Sequence, residues 1–371
     1  ITDQIARTAE PEERQAMIDR MKTFKETLSM KEAELNSVME IWRNLMLRVP
    51  NVPDISVPEG ESDAENVEVR TVGELPQFDF TPKNHVDLML AHDMADFERG
   101  TKVAGFRGYF LKNDGAMLAY AIWMYTLQVM TGKGFSPMIV PSMVRREAFM
   151  GTGYLPQSED DLYKNQDGEY LAGTGEVATM GYYMNETLEK ADLPKKMIAF
   201  SPCFRREIGA HGKDTKGLIR VHEFFKFEQV VLCEANHETT VQFHEELTAN
   251  AEEVIRGLGL PYHVVVNCGG DLGLGQVKKY DIEAWVPSEG KYRETHSSSY
   301  FHDFQSRRLN TRYRDEDGKT RFVHSLNNTA IATPRVLVSV IENYQNADGT
   351  IRVPEVLQGF MGKSVIGNPL V

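Results

Sequence analysis

The chain has 371 residues, 41% of them hydrophobic and 26% charged, with a formal net charge of −13. That is the composition of an ordinary globular protein, long enough for one large domain with an appendage or for two domains. The acidic balance argues against broad nucleic-acid binding, so any nucleic-acid partner must meet a local basic surface.

No apolar run approaches the roughly 18 residues of a membrane span, and the first residues lack the basic-then-apolar pattern of a secretory leader. Cys203, Cys233 and Cys268 are widely spaced without a C-x-x-C. They read as buried thiols in a reducing, cytoplasmic compartment rather than as a disulfide framework or a cysteine-rich zinc site. The chain opens on Ile1, which points to a missing N-terminal piece.

The first element is a long helix over residues 11–49. Pro11 suits a first helical turn, and Glu12 and Glu13 follow it near the positive end of the helix dipole. Apolar residues then recur at Met17, Met21, Phe24, Leu28, Leu35, Val38, Trp42, Leu45 and Val49, with Lys31 in the one skipped position. Alternating steps of four and three residues make a heptad seam. A coiled-coil arm is expected, with an amphipathic helix laid on a globular core as the other reading. The seam needs a partner: an earlier helix of this chain that is missing here, or another subunit.

Pro50 and Pro53 stop the helix, and the acidic stretch 58–65 reads as an exposed linker. Beyond it, helices are expected over 85–99 and 116–130, then a strand at 137–141. Strands are expected at 171–177, 197–206, 224–234, 262–266, 280–286, 294–300 and 322–327, with a last helix at 334–345. Strands are grouped rather than alternated with helices, which predicts an α+β fold on a mainly antiparallel sheet.

Two stretches carry the chemistry. Arg205 and Glu207 stand at i and i+2 in a segment read as strand, which would put them on one face. A polar loop, 209–217, follows, and the chain returns through Arg220, Val221, Phe224 and Glu228. The second stretch runs from Asn327 to Arg335. Arginine forks suit phosphate oxygens, so a triphosphate site is expected without a Gly-x-x-x-x-Gly-Lys loop. The spacing of His211, His222 and His296 gives no zinc-ligand pattern, so no zinc is expected.

The stretch FRREIGAHGKDTKGLIRVHEFFKFE, from Phe204, resembles motif 2 of class II aminoacyl-tRNA synthetases, and its wording is similar to that of the seryl-tRNA synthetases. LAGTGEVATM, residues 269–299 and LNNTAIATPRVLVSVIENYQ, which is similar to motif 3, extend the resemblance over nearly the whole chain. Motif 1 would lie around 134–141.

The resemblance implies a class II antiparallel sheet flanked by helices, with a long helical arm. Residues 1–53 would be a partial tRNA-binding arm, 54–79 a linker leading into the core, and 80–371 the catalytic domain. It implies serine held by Thr174, Gly175, Glu176, Arg205, Glu228, Asn327 and Thr329. ATP would meet Arg205, Arg206, Glu207, Arg220, Val221, Phe224, Glu294, Thr295, His296, Ser297 and Arg335.

Arg205, Glu207, Glu294 and Arg335 would be catalytic, and Glu294 and Ser297 would offer oxygen ligands to Mg2+. The implied reaction makes seryl-adenylate and then charges tRNA(Ser), with tRNA(Sec) kept as a second acceptor, in a homodimer away from membranes. Lys278, Lys279, Arg307, Arg308, Arg312 and Arg314 are basic groups available to tRNA phosphates. Two other classes stay open: a ligase loading a small amino acid onto a carrier protein, and an inert synthetase-like binding protein.

Overall fold

The computed structural model describes residues 2–7, 9–210, 212 and 214–369. Its contacts divide the chain into two compact units, residues 1–49 and 50–371.

The first unit is helical. Helix α1 (Thr2–Arg7) precedes α2 (Pro11–Met46), which carries Pro11 in its first turn. The expected helix is present and ends three residues early. No residue of α2 is buried. Its heptad stripe stands open: Phe24, Leu28, Leu35, Val38, Trp42 and Leu45 are all more than half exposed.

The second unit is built on an eight-stranded sheet. In chain order its strands are β1 (Val67–Val72), β2 (Ser136–Ile139), β3 (Lys195–Phe204), β4 (Glu223–Cys233), β5 (Tyr262–Val266), β6 (Lys278–Val286), β7 (Lys291–His302) and β8 (His324–Thr333). The spatial order is β1-β5-β6-β7-β8-β4-β3-β2, and every pair is antiparallel except β3 with β2.

Helices α3 (His85–Ala91), α4 (Phe97–Ala104), α5 (Asn113–Gly132), α6 (Arg146–Thr152), α7 (Glu176–Gly181), α8 (His237–Gly257), α9 (Phe304–Leu309), α10 (Arg335–Asn343) and α11 (Glu355–Met361) complete the unit. The largest core joins one face of the sheet to apolar residues of α3, α5, α8, α10 and α11.

Alternation along β4 divides the two faces. Phe227, Val231 and Cys233 enter that core, whereas Phe224, Lys226 and Glu228 line a cavity on the other side. Two smaller clusters include residues of α6 and α7, and Leu309 of α9.

Three expectations differ from the structure. Residues 171–177 are not one strand: Tyr170–Leu171 pairs briefly with Val144 and Met143, the chain bends at Gly173, and α7 begins at Glu176. The expected helix 85–99 breaks after α3, where Asp93 takes a left-handed conformation (φ 52°), and helix resumes at Phe97. The last strand runs on to Thr333, so Asn327 through Thr333 are sheet residues. Helix α8 was not legible in the chain at all.

Candidate active site

The β3–β4 hairpin is in register, Phe204 opposite Glu223. At its open end the Arg205 N–H donates to the His222 carbonyl at 2.9 Å, and His222 Nδ1 meets the Arg205 carbonyl at 2.9 Å. Arg205 therefore lies just beyond the strand, and Glu207 sits in a turn with φ 54°. Strand alternation does not relate the two, which corrects the i, i+2 reading. Left-handed non-glycine residues are uncommon and cluster at active sites and ligand clamps. The Glu207 carboxylate is paired with Arg220.

Next to this hairpin, β8 feeds directly into α10, so Arg335 is the first residue of that helix. Its Nε donates to the Ile219 carbonyl at 3.0 Å and its Nη1 to the Glu294 carbonyl at 2.9 Å. One guanidinium thus ties the returning limb of the hairpin loop to β7.

These elements enclose a cavity of about 490 Å³. Of the residues singled out in the sequence, Thr174, Glu176, Arg205, Glu207, Arg220, Val221, Phe224, Glu228, Glu294, Thr295, Ser297, Asn327, Thr329 and Arg335 line it. Gly175, Arg206 and His296 do not line it. Gly175 packs its backbone so closely that a Cβ would meet Ser201 Oγ at 3.3 Å. Arg206 is exposed and donates to the Asp160 carbonyl at 2.8 Å. His296 is buried, its Nδ1 2.8 Å from Thr295 Oγ1. His211 lies outside the described residues.

One end of the cavity is acidic and buried. Glu176 and Glu228 are 3% and 2% exposed. Lys226, two residues before Glu228 on the same strand face, pairs with Glu228 and donates to Thr174 Oγ1 at 2.8 Å. Burial pushes the Glu176 carboxyl up to about 7; hydrogen bonds from Gln305 and Tyr154 work against that push, and nearby Glu228 adds to it.

The other end is cationic. The Arg205 guanidinium lies over the Phe224 ring, 5.3 Å from its centroid. Half-exposed Glu294 faces Arg335 at 3.4 Å. Removal from bulk water raises its pKa, but Arg335, Lys279 and Arg205 outweigh that and hold the carboxyl below its ordinary value. It is therefore an ionised oxygen donor, and Ser297 lines the same cavity. A carboxylate and a hydroxyl fit Mg2+, which prefers oxygen ligands and keeps places for water and phosphate.

Lys226, Tyr154, Gln305 and Lys279 escaped the sequence reading of the site. Lys226 had a signal, the two-residue period through Phe224 and Glu228. Tyr154 and Gln305 are brought in from distant segments and had none, and Lys279 was read only as a basic group for tRNA phosphates. Lys279 is held at 3.0 Å from Asp281, so it is engaged inside the unit rather than free on a basic surface.

An antiparallel sheet with a paired-arginine hairpin and a strand running into an arginine-bearing helix defines a class II aminoacyl-tRNA synthetase core. Residues 159–344 match the family described as the tRNA synthetase class II core domain for G, H, P, S and T. The serine–tRNA ligase of Deinococcus radiodurans is 47% identical over 364 residues, covering 98% of this chain and 86% of the relative. That of Treponema denticola is 43% identical over 361 residues, covering 96% and 85%. The crystal structure of seryl-tRNA synthetase from Pyrococcus horikoshii complexed with ATP superposes with a TM-score of 0.91 at 39% identity, covering 98% of this chain and 86% of that one. The chain belongs to the seryl-tRNA synthetases, the serine–tRNA ligases.

Proposed function

We propose that this chain activates L-serine with ATP and passes the seryl group to the 3′ end of tRNA(Ser). The observation that carries the reading is that one cavity holds both an acidic cup and an arginine-lined half. The cup, Thr174, Glu176 and Glu228, suits an ammonium group. Asn327 and Thr329 supply hydrogen-bonding groups for the serine hydroxyl. Phe224 and Val221 are the adenine side, Arg205 bridges the serine carboxylate and the α-phosphate, and Arg220 and Arg335 serve the outer phosphates.

In the first step a serine carboxylate oxygen attacks the α-phosphorus. The bond from that phosphorus to the bridging oxygen breaks, and pyrophosphate leaves. In the second step a terminal ribose hydroxyl of tRNA attacks the seryl carbonyl and AMP leaves. The protein provides no nucleophile. Its work is alignment and charge stabilisation. Mg2+, held by Glu294 and Ser297 with the phosphates, would neutralise phosphate charge when bound.

Residues 1–53 would serve as the tRNA arm and 80–371 as the catalytic domain; the stretch 54–79, expected as a linker, also adds β1 to the edge of the main sheet. An exposed aromatic groove supports a homodimer: Phe106, Phe110 and Tyr120 are 56%, 43% and 58% exposed around it, with Tyr109 and Trp123 in its wall. Three buried free cysteines suit a reducing compartment such as the cytoplasm. No helix among the described residues is long and apolar enough to cross a membrane.

The test is pyrophosphate exchange with serine, alanine, glycine and threonine, followed by charging of tRNA. Exchange confined to serine, with tRNA charged, is the expected result. Exchange with glycine or alanine and no charging would favour a carrier-loading ligase, and no exchange with any of them an inert binding protein.

A further inference from the structure

The carboxylate of Glu176 is gripped from a place the reaction itself does not visit. Gln305, on α9, is 1% exposed, and its Nε2 donates to Glu176 Oε1 at 2.6 Å. The Tyr154 hydroxyl donates to the other oxygen, Oε2, at 3.0 Å. The Gln305 amide is itself fixed: its Oε1 accepts from buried Ser325 Oγ at 2.7 Å, and its Nε2 reaches the Thr152 carbonyl at 3.4 Å. Ser325 stands on β8, two residues before Asn327. Gln305 thus joins α9, β8 and the end of α6 on one carboxylate oxygen, and it does not line the cavity.

We infer that Gln305 is a positioning residue of the serine-activation step, its amide N–H fixing the Glu176 carboxylate as acceptor for the serine ammonium. The inference rests on the assignment of Glu176 to that ammonium. A carboxylate this deeply buried is costly to ionise, and it must be ionised before substrate arrives if it is to receive a cation.

The groups facing it pull in both directions. From β4 come Glu228, which opposes ionisation, and Lys226, which favours it. Tyr154, after α6, feels Glu176, Arg205 and Glu228, and the buried Cys203 thiol on β3 feels Lys226, Arg205 and Glu228. On α9 the other nearby cation, Arg308, turns to the Phe304 ring, 3.7 Å from its centroid. Lys226 is committed to Glu228 and Thr174. Direct donation to the Glu176 carboxylate therefore falls to Gln305 and Tyr154 among the described residues. A hydrogen bond to an ionised carboxylate favours that form, so its loss raises the pH needed for ionisation.

The experiment is serine-dependent pyrophosphate exchange from about pH 5.5 to 9, at saturating ATP, for the intact chain and for Gln305→Met, Gln305→Asn and Glu176→Gln. Gln305→Met removes the donor at nearly constant shape. Gln305→Asn keeps a buried amide but sets it back from Glu176 by one methylene, and so covers the case in which the methionine variant fails to fold. In both, the acid limb of kcat/KM for serine should move up by about one pH unit. KM for serine at pH 6.5 should then rise about tenfold, recover towards pH 9, and leave KM for ATP unchanged.

A limb that stays in place in both variants, or a loss equal at every pH, overturns the inference. Glu176→Gln separates the two layers. If it leaves KM for serine unchanged, the assignment of Glu176 fails; if it raises KM while the Gln305 variants keep the wild-type limb, only the role of Gln305 fails.

Discussion

On the proposed reading, Arg205 concentrates the function at the scale of a single residue. Its backbone closes the hairpin against His222 and its side chain crosses the cavity over Phe224. Loss of one preorganised electrostatic partner typically costs about 10²–10³ in rate, so Arg205→Ala should lower serine-dependent exchange by at least that factor. Arg205→Lys should recover little, because an ammonium cannot reproduce the planar fork. Exchange near the wild-type rate in either variant would refute the assignment.

Glu176 makes a second prediction, of stability. Its folded pKa of about 7 lies above the ordinary value of 4.5, so the folded chain retains a proton that the unfolded chain releases. Stability from this group is then fully present below about pH 4.5 and is lost as pH rises to 7. Glu176→Gln removes that slope. In urea titrations the variant should gain on the wild type across this window, reaching a few kcal/mol by pH 8. A constant difference between pH 4.5 and 8 would contradict it.

Among the elements, those with a strong local period were legible. The α2 helix, the 116–130 core helix and strands β3 to β7 could be read within a few residues of their ends. The site was legible where a contiguous motif carries it, as the motif 3 resemblance carries Asn327 and Thr329, although the strand expected there stopped at Asn327 and in fact runs to Thr333. It was not legible where distant segments converge, as at Gln305 and Tyr154.

Residues 171–177 read as strand because Leu171, Ala172 and Val177 are apolar, yet Val177 is buried among α6 residues such as Phe149. Tertiary packing decided the outcome over local propensity. Helix α8 mixes threonines and glutamates, and its buried face includes Thr240, His244, Thr248 and Asn250, so a search for apolar periodicity misses it. Two changes test its weight. Leu247 is fully buried, and Leu247→Ala should cost about 2–5 kcal/mol. Asn236 caps the helix, its side chain accepting from the Thr239 N–H at 2.8 Å, and Asn236→Ala should cost about 1 kcal/mol. Denaturant unfolding would measure both; equal costs would show that the core against α8 is easily refilled.

Taken as a whole, the molecule must receive a polyanion while carrying a net charge of −13. Several candidate basic groups are already engaged: Arg307 with Asp303, Arg314 with Glu189 and Lys279 with Asp281. Phosphate contact is therefore expected to be sparse and strongly screened. Raising salt from about 50 to 200 mM should lower kcat/KM for tRNA charging by about tenfold or more, with serine-dependent exchange nearly unchanged. Charging indifferent to salt would exclude phosphate contact as its main source of affinity.

Strand β2 ends the sheet with Ile139 89% exposed. An open strand edge invites another chain, as does an exposed apolar groove elsewhere on the same unit. If a second copy takes that place, the midpoint of thermal unfolding becomes a function of protein concentration, rising as the protein is concentrated. Heat tolerance would then be a collective property, set partly by how much of the enzyme a cell makes and not by one chain's contacts alone.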